Sequence, residues 1–98
     1  MSGQAAFDIS IITHDRVVFE GRAVSIIVPG VSGYLGILAR HAPIVASLGN
    51  GILTVFGEDE SETSWDMNLG LMNVRDNRVF ILAEDIRERP GGRASASA

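Results

Sequence analysis

The chain has no cysteine and no lysine, and each absence closes off chemistry. Without cysteine there is no disulfide, no thiol nucleophile and no thiolate metal site. Without lysine there is no Schiff base, no biotinyl or lipoyl carrier function, and no cation to complete a phosphate loop. A basic excess is missing too. Twelve acids against eight arginines leave a net charge of −4, so nucleic acid is not an expected partner. No apolar run approaches the ~18 residues that a membrane-spanning helix needs. The first six residues, MSGQAA, lack the basic and apolar regions of a signal peptide, and none is expected.

What is present is apolar and regular. Ninety-eight residues, 46% of them hydrophobic, make one domain with a core of its own. The period is two almost everywhere. Phe7, Ile9 and Ile11 alternate with polar neighbours, residues 13–16 turn, and residues 17–20 continue a hairpin up to Gly21. Residues 23–28 form a second run, which Pro29 and Gly30 end. Residues 44–48 read as a short strand, residues 49–51 as a tight turn, and residues 52–56 as its return. An acidic tip follows at residues 57–62, then the alternation of Thr63, Trp65, Met67 and Leu69. Leu71, Met72 and Val74 lead to a turn at residues 75–78, and residues 79–83 close the set. Short strands with regular turns predict an all-β sandwich. Its expected core contains Phe7, Ile9, Val24, Ile26, Ile52, Val55, Trp65, Met67, Val79 and Ile81, with Ile86 the last core residue. Residues 1–6 are expected to be a flexible N-terminus, 7–86 the domain, and 87–98 a short disordered tail.

Residues 30–43, GVSGYLGILARHAP, are the most unusual stretch. Gly30, Gly33 and Gly36 recur at intervals of three, which predicts two bends around a short strand. That spacing is not G-x-G-x-x-G, and Tyr34 breaks G-x-S-x-G at its fifth place. Ser32 has no recognisable base. His14 sits in a polar turn, and His41 is read as fixing a bend before Pro43 by bonding to backbone. Two lone histidines do not make a metal site. The acidic tip lacks calcium-loop spacing. Neither a metal nor another cofactor is expected. The apolar residues Tyr34, Leu35, Ile37 and Leu38 among the bends suggest a partner surface.

Several short motifs then resemble one family in order and spacing. They are Phe19-Glu20-Gly21, Val28 with Gly30, Gly33-Tyr34-Leu35-Gly36-Ile37-Leu38, His41-Ala42-Pro43, Gly51-Ile52-Leu53, Gly70 with Val74, and the closing Val79-Phe80-Ile81-Leu82-Ala83-Glu84. The stretch of about residues 7–86 is similar to the N-terminal β-sandwich domain of the epsilon subunit of rotary F-type ATP synthases, the equivalent of mitochondrial delta. The resemblance implies a sandwich of two five-stranded sheets and a non-catalytic rotor component. Its partners would be the gamma subunit and the c-ring, and its place the cytoplasmic side of a bacterial inner membrane, held there only through the complex. Position by position, Gly30, Val31, Ser32, Gly33 and Tyr34 match the loop that touches the c-ring. His41, Ala42, Ile44 and Ala46 match the stretch against gamma, expected on a different surface. Tyr34 stands where an acidic or polar residue is frequent, and Arg40 where glycine is. The twelve residues after Ile86 include Pro90, Gly91 and Gly92 and do not build the family's C-terminal helical hairpin. Its inhibitory and ATP-sensing roles are therefore not expected. The competing reading is a stand-alone sandwich that binds a ligand, or acts as an enzyme, through residues 30–43. It requires a concave pocket with converging polar groups.

Overall fold

Period-two alternation becomes strand throughout, in a computed structural model that describes residues 5–90. In chain order the strands are β1 (Phe7–Ile12), β2 (Val17–Gly30), β3 (Gly33–Leu38), β4 (Ile44–Leu48), β5 (Gly51–Gly57), β6 (Glu62–Met67), β7 (Gly70–Arg75), β8 (Arg78–Ala83) and β9 (Ile86–Glu88). No helix occurs among the described residues, and the fold is all-β.

The nine strands join one hydrogen-bonded network, in the order β1-β8-β7-β4-β2-β5-β6-β9, with β3 paired to β2 and β1 also paired to β2. The β1–β8 pair is parallel and the other pairs are antiparallel. The strands join in a single network because β2 is long. Its first half pairs with β1 and its second half with β3 and β5. Gly21, read in the sequence as a break, lies inside that strand. The ring of Phe19 comes within 3.5 Å of the place a Gly21 Cβ would occupy, covering the gap that glycine leaves in a sheet. The same ring meets Trp65 edge-on, centroids 5.4 Å apart and planes 68° apart.

One apolar cluster gathers Phe7, Ile9 and Ile11 of β1, Ile26 and Val28 of β2, Trp65 and Met67 of β6, and Val79 and Ile81 of β8. Two expected core residues, Val24 and Ile52, are only half-buried. Val24 occupies a bulge: Ala23 pairs with Gly57 and Ser25 with Phe56, leaving Val24 unmatched. A bulge resets which residues face inward, so Ala23 and Ile26 both reach the core. Ile52 has the wrong parity. Leu53 and Val55 fill the inner face of β5, and alternation sends Ile52 to the other side.

Residues 49–51 are a corner rather than the expected hairpin turn. β4 pairs with β7, whereas β5 pairs with β2 and β6. The backbone there is already engaged, since Gly49 N–H donates to the Pro29 carbonyl at 2.8 Å and Val31 N–H to the Ser47 carbonyl at 3.0 Å. Gly51 turns the corner at φ +158°, and a Cβ on it would lie 2.5 Å from Pro29 Cβ and 2.6 Å from the Tyr34 hydroxyl. Gly51→Ala is expected to cost on the order of 1–3 kcal/mol by overpacking. The loss is read as a lower urea midpoint at unchanged slope, and an unchanged midpoint would show that the contact is not tight in solution.

The turn read at residues 75–78 is present. Asp76 and Asn77 take φ of 52° and 58°, the two-residue geometry that suits the twist of a hairpin. At the other end, β9 runs to Glu88, two residues past the expected domain boundary at Ile86. Arg89 fastens it. Its N–H donates to the Ser64 carbonyl and its guanidinium meets Asp66, each at 2.8 Å. Of the expected flexible ends, residues 1–4 and 91–98 lie outside the described residues, and Ala6 is buried.

Candidate functional site

The β2–β3 hairpin carries the first predicted contact set. Gly30 and Gly33 close a turn whose two tip residues, Val31 and Ser32, are exposed. Gly33 takes φ +135°, a value side chains rarely adopt. Tyr34 is 58% exposed, yet it is not a free probe. Its hydroxyl accepts the Ile52 N–H at 3.0 Å, folding the ring back towards Gly51. Val31, 66% exposed, is the outermost apolar residue of the hairpin. A groove of about 310 Å³ runs beside it, lined by Gly30, Tyr34, Leu35, Ala46 and Ser47 among others. Its lining contains no acid, base or cation besides the tyrosine.

The second set lies on the loop before β4 and on β4 itself. Arg40 adopts φ 62°, a left-handed geometry that explains why glycine would suit this place. Asn77 secures it, a role the sequence did not reveal. Its Oδ1 accepts the Arg40 N–H at 2.8 Å, and its Nδ2 donates to the Ala6 carbonyl at 2.9 Å. His41 N–H donates to the Leu38 carbonyl at 3.2 Å, and His41 Nδ1 lies 2.7 Å from the Ala42 carbonyl. The imidazole thus braces the bend, as read from sequence. Ala42 is exposed, but Ile44 and Ala46 pack against the core. The outward side chains of β4 are Val45 and Ser47. The two sets are also not fully apart, since Ala46 borders the hairpin groove.

The larger apolar surface was not singled out from sequence. Val45, Leu71, Phe80 and Leu82 are 64%, 45%, 48% and 42% exposed. The register makes them neighbours: Val45 pairs with Asn73 and Asn73 with Phe80, while Ser47 pairs with Leu71 and Leu71 with Leu82. No charged residue interrupts these two rows across β4, β7 and β8. A groove of about 470 Å³ continues the face past Leu69, 53% exposed, to His14 and Glu84. His14 is exposed beside a turn in which the Thr13 hydroxyl donates to Asp15 at 2.8 Å. That bond holds the Asp15 carboxyl below its usual range.

No group of three or more His, Asp or Glu among the described residues is placed to hold a metal ion. No helix among them is long and apolar enough to cross a membrane. Fold and surface together define a small β-sandwich module whose outer sheet face carries two rows without charge, bordered by Arg75 and Arg78. The chain belongs to the ATP synthase delta/epsilon chain family, whose beta-sandwich domain it matches over residues 6–89. It is 36% identical over 80 residues to an ATP synthase epsilon chain of Moorella thermoacetica, covering 82% of this chain and 60% of that one. Against the epsilon chain of Chlorobium limicola it is 34% identical over 85 residues, covering 87% of this chain and 97% of that one. The fold recurs in the Euglena gracilis mitochondrial ATP synthase structure of OSCP, F1 and c-ring, with a TM-score of 0.81, 23% identity, and 86% and 54% of the two chains covered. It recurs in the central stalk and c-ring of Tetrahymena thermophila mitochondrial ATP synthase with a TM-score of 0.70 and 14% identity, covering 85% and 66%.

Proposed function

We propose that the chain is a non-catalytic central-stalk subunit of an F-type ATP synthase, clamping the gamma subunit onto the c-ring. It would pass rotation between the ion-driven ring and the catalytic head, on the cytoplasmic side of a bacterial inner membrane. The observation that carries this reading is the exposed apolar cluster of Val45, Leu71, Phe80 and Leu82, in two rows broken by Asn73 and Ser47 but by no charge, in a chain of this family. Exposed apolar area of that kind marks a protein contact. In this reading the network acts as two layers of five strands, β2-β1-β8-β7-β4 and β3-β2-β5-β6-β9, which share β2. The gamma contact uses Val45, Leu71, Phe80 and Leu82, with His41 and Ala42 at its border, while Ile44 and Ala46 support it from beneath. The c-ring contact uses Gly30, Val31, Ser32, Gly33 and Tyr34, with Val31 foremost.

The hairpin is tested by Val31→Asp and Tyr34→Ala in the assembled enzyme. Both should reduce ion-linked ATP synthesis per unit of hydrolysis and loosen the catalytic head from membranes, while the chain still binds gamma. Tyr34→Phe, which loses only the bond to Ile52, should stay near wild type. Normal coupling in both Val31→Asp and Tyr34→Ala would show that the hairpin is not an energetically important c-ring contact.

A further inference from the structure

We propose that the free edge of β3 pairs with the same edge of a second copy of this chain, antiparallel and centred on Gly36. This goes beyond the rotor reading and uses neither of its contact faces as a whole. Among the described residues β3 pairs only with β2. The register fixes which backbone groups are left over. Pro29 has no N–H and stands opposite Tyr34, with Ile27 opposite Gly36 and Ser25 opposite Leu38. In an antiparallel ladder, opposed pairs alternate between exchanging both bonds and exchanging none. The proline assigns these three pairs to the second kind, and the Pro29 carbonyl, which accepts the Gly49 N–H instead, agrees. Tyr34, Gly36 and Leu38 therefore aim their N–H and C=O groups away from β2. Among the described residues, only the Leu38 carbonyl of these groups has a backbone partner outside the ladder, the N–H of His41.

Nothing along this edge discourages pairing. Residues 33–38 include no charge and no proline, which are the usual protections of an open strand. Tyr34 and Leu38 are 58% and 64% exposed, and open space surrounds the Cβ position of Gly36. The edge is also self-complementary. A two-fold axis at Gly36 sets Gly36 opposite Gly36 of the second copy, and Tyr34 opposite Leu38 of the second copy, each pair exchanging both backbone bonds, with the Leu38 carbonyl using one lone pair for the His41 N–H and the other across the axis. Tyr34 then lies against a leucine on the outer face, a favourable cross-strand pair. No like charges meet across the axis. A six-residue edge is only about 20 Å long. Alone it falls short of the ~800 Å² per partner of a standard interface, so the pairing is concentration-dependent.

Sedimentation equilibrium of the full chain tests this from about 10 μM to about 1 mM, a range in which even a Kd near 1 mM populates dimer at the upper end. The apparent mass should rise towards twice the monomer, with hydrogen exchange at the Tyr34 and Gly36 amides slowing as it does. Leu38→Lys and Gly36→Pro should each remain monomeric at the highest concentration. Leu38→Lys replaces an exposed side chain and should keep the wild-type melting curve. Phe80→Lys, on the other face, should dimerise as wild type does. A wild-type chain monomeric at ~1 mM would overturn the proposal, as would dimerisation lost in Phe80→Lys but kept in Leu38→Lys.

Discussion

Replacing Trp65 with alanine is expected to cost about 3–5 kcal/mol, the range for emptying a large aromatic site. The indole is 2% exposed and its strand pairs with both β5 and β9. Its loss also removes the edge-on contact with Phe19, so the cover over Gly21 loses its support. A domain of this size holds about 5–15 kcal/mol in all, so the substitution should lower the melting temperature by on the order of 20 °C. Circular dichroism is the suitable probe because Trp65 is the only tryptophan. A shift of only a few degrees would mean that the core is not organised around this residue.

The second large effect concerns the apolar face. Phe80→Glu and Val45→Glu each place a carboxylate where the account puts the gamma subunit. Burying an unpaired charge costs several kcal/mol, and each 1.4 kcal/mol is a factor of ten, so affinity for gamma should fall on the order of a hundredfold or more. Val45 is largely exposed and Phe80 about half exposed in the free chain, and surface changes stay within about 0.5 kcal/mol. Melting should therefore hardly move. Ala46→Glu makes the instructive contrast. Ala46 pairs with fully buried Met72 and packs on the core, so that carboxylate should destabilise the chain before any partner arrives. Equal gamma binding by Phe80→Glu, Val45→Glu and wild type would remove the face from the account.

Most strands were legible because polar residues mark the outer face in β1 and β6, leaving period two visible, whereas β5 carries Ile52 and Phe56 outward and its parity was misread. β8 was legible as a strand but not as a surface. Val79, Ile81 and Ala83 face the core, while Phe80 and Leu82 face outward, and a run apolar on both faces shows no alternation. The Val24 bulge was hidden for another reason. It arises from the register with Gly57 and Phe56, more than thirty residues away, which local pattern does not report. Residues 49–51 have the composition of a hairpin turn, but long-range bonds to Pro29 and Val31 decide the path. The site divides the same way. The glycine bends and the brace at His41 could be read directly. The shift from Ile44 and Ala46 to Val45 is one residue of parity, and Asn77 acts through contacts distant in sequence.

The most direct measurement of the central claim is co-purification. Tagged wild-type chain, expressed in its own host and drawn from solubilised membranes, is expected to bring down a gamma subunit and the c-ring together. Phe80→Glu should recover neither gamma nor the catalytic head. Wild-type chain that returns from membranes without gamma, or equally well with it in the Phe80→Glu form, would contradict a clamp built on this face.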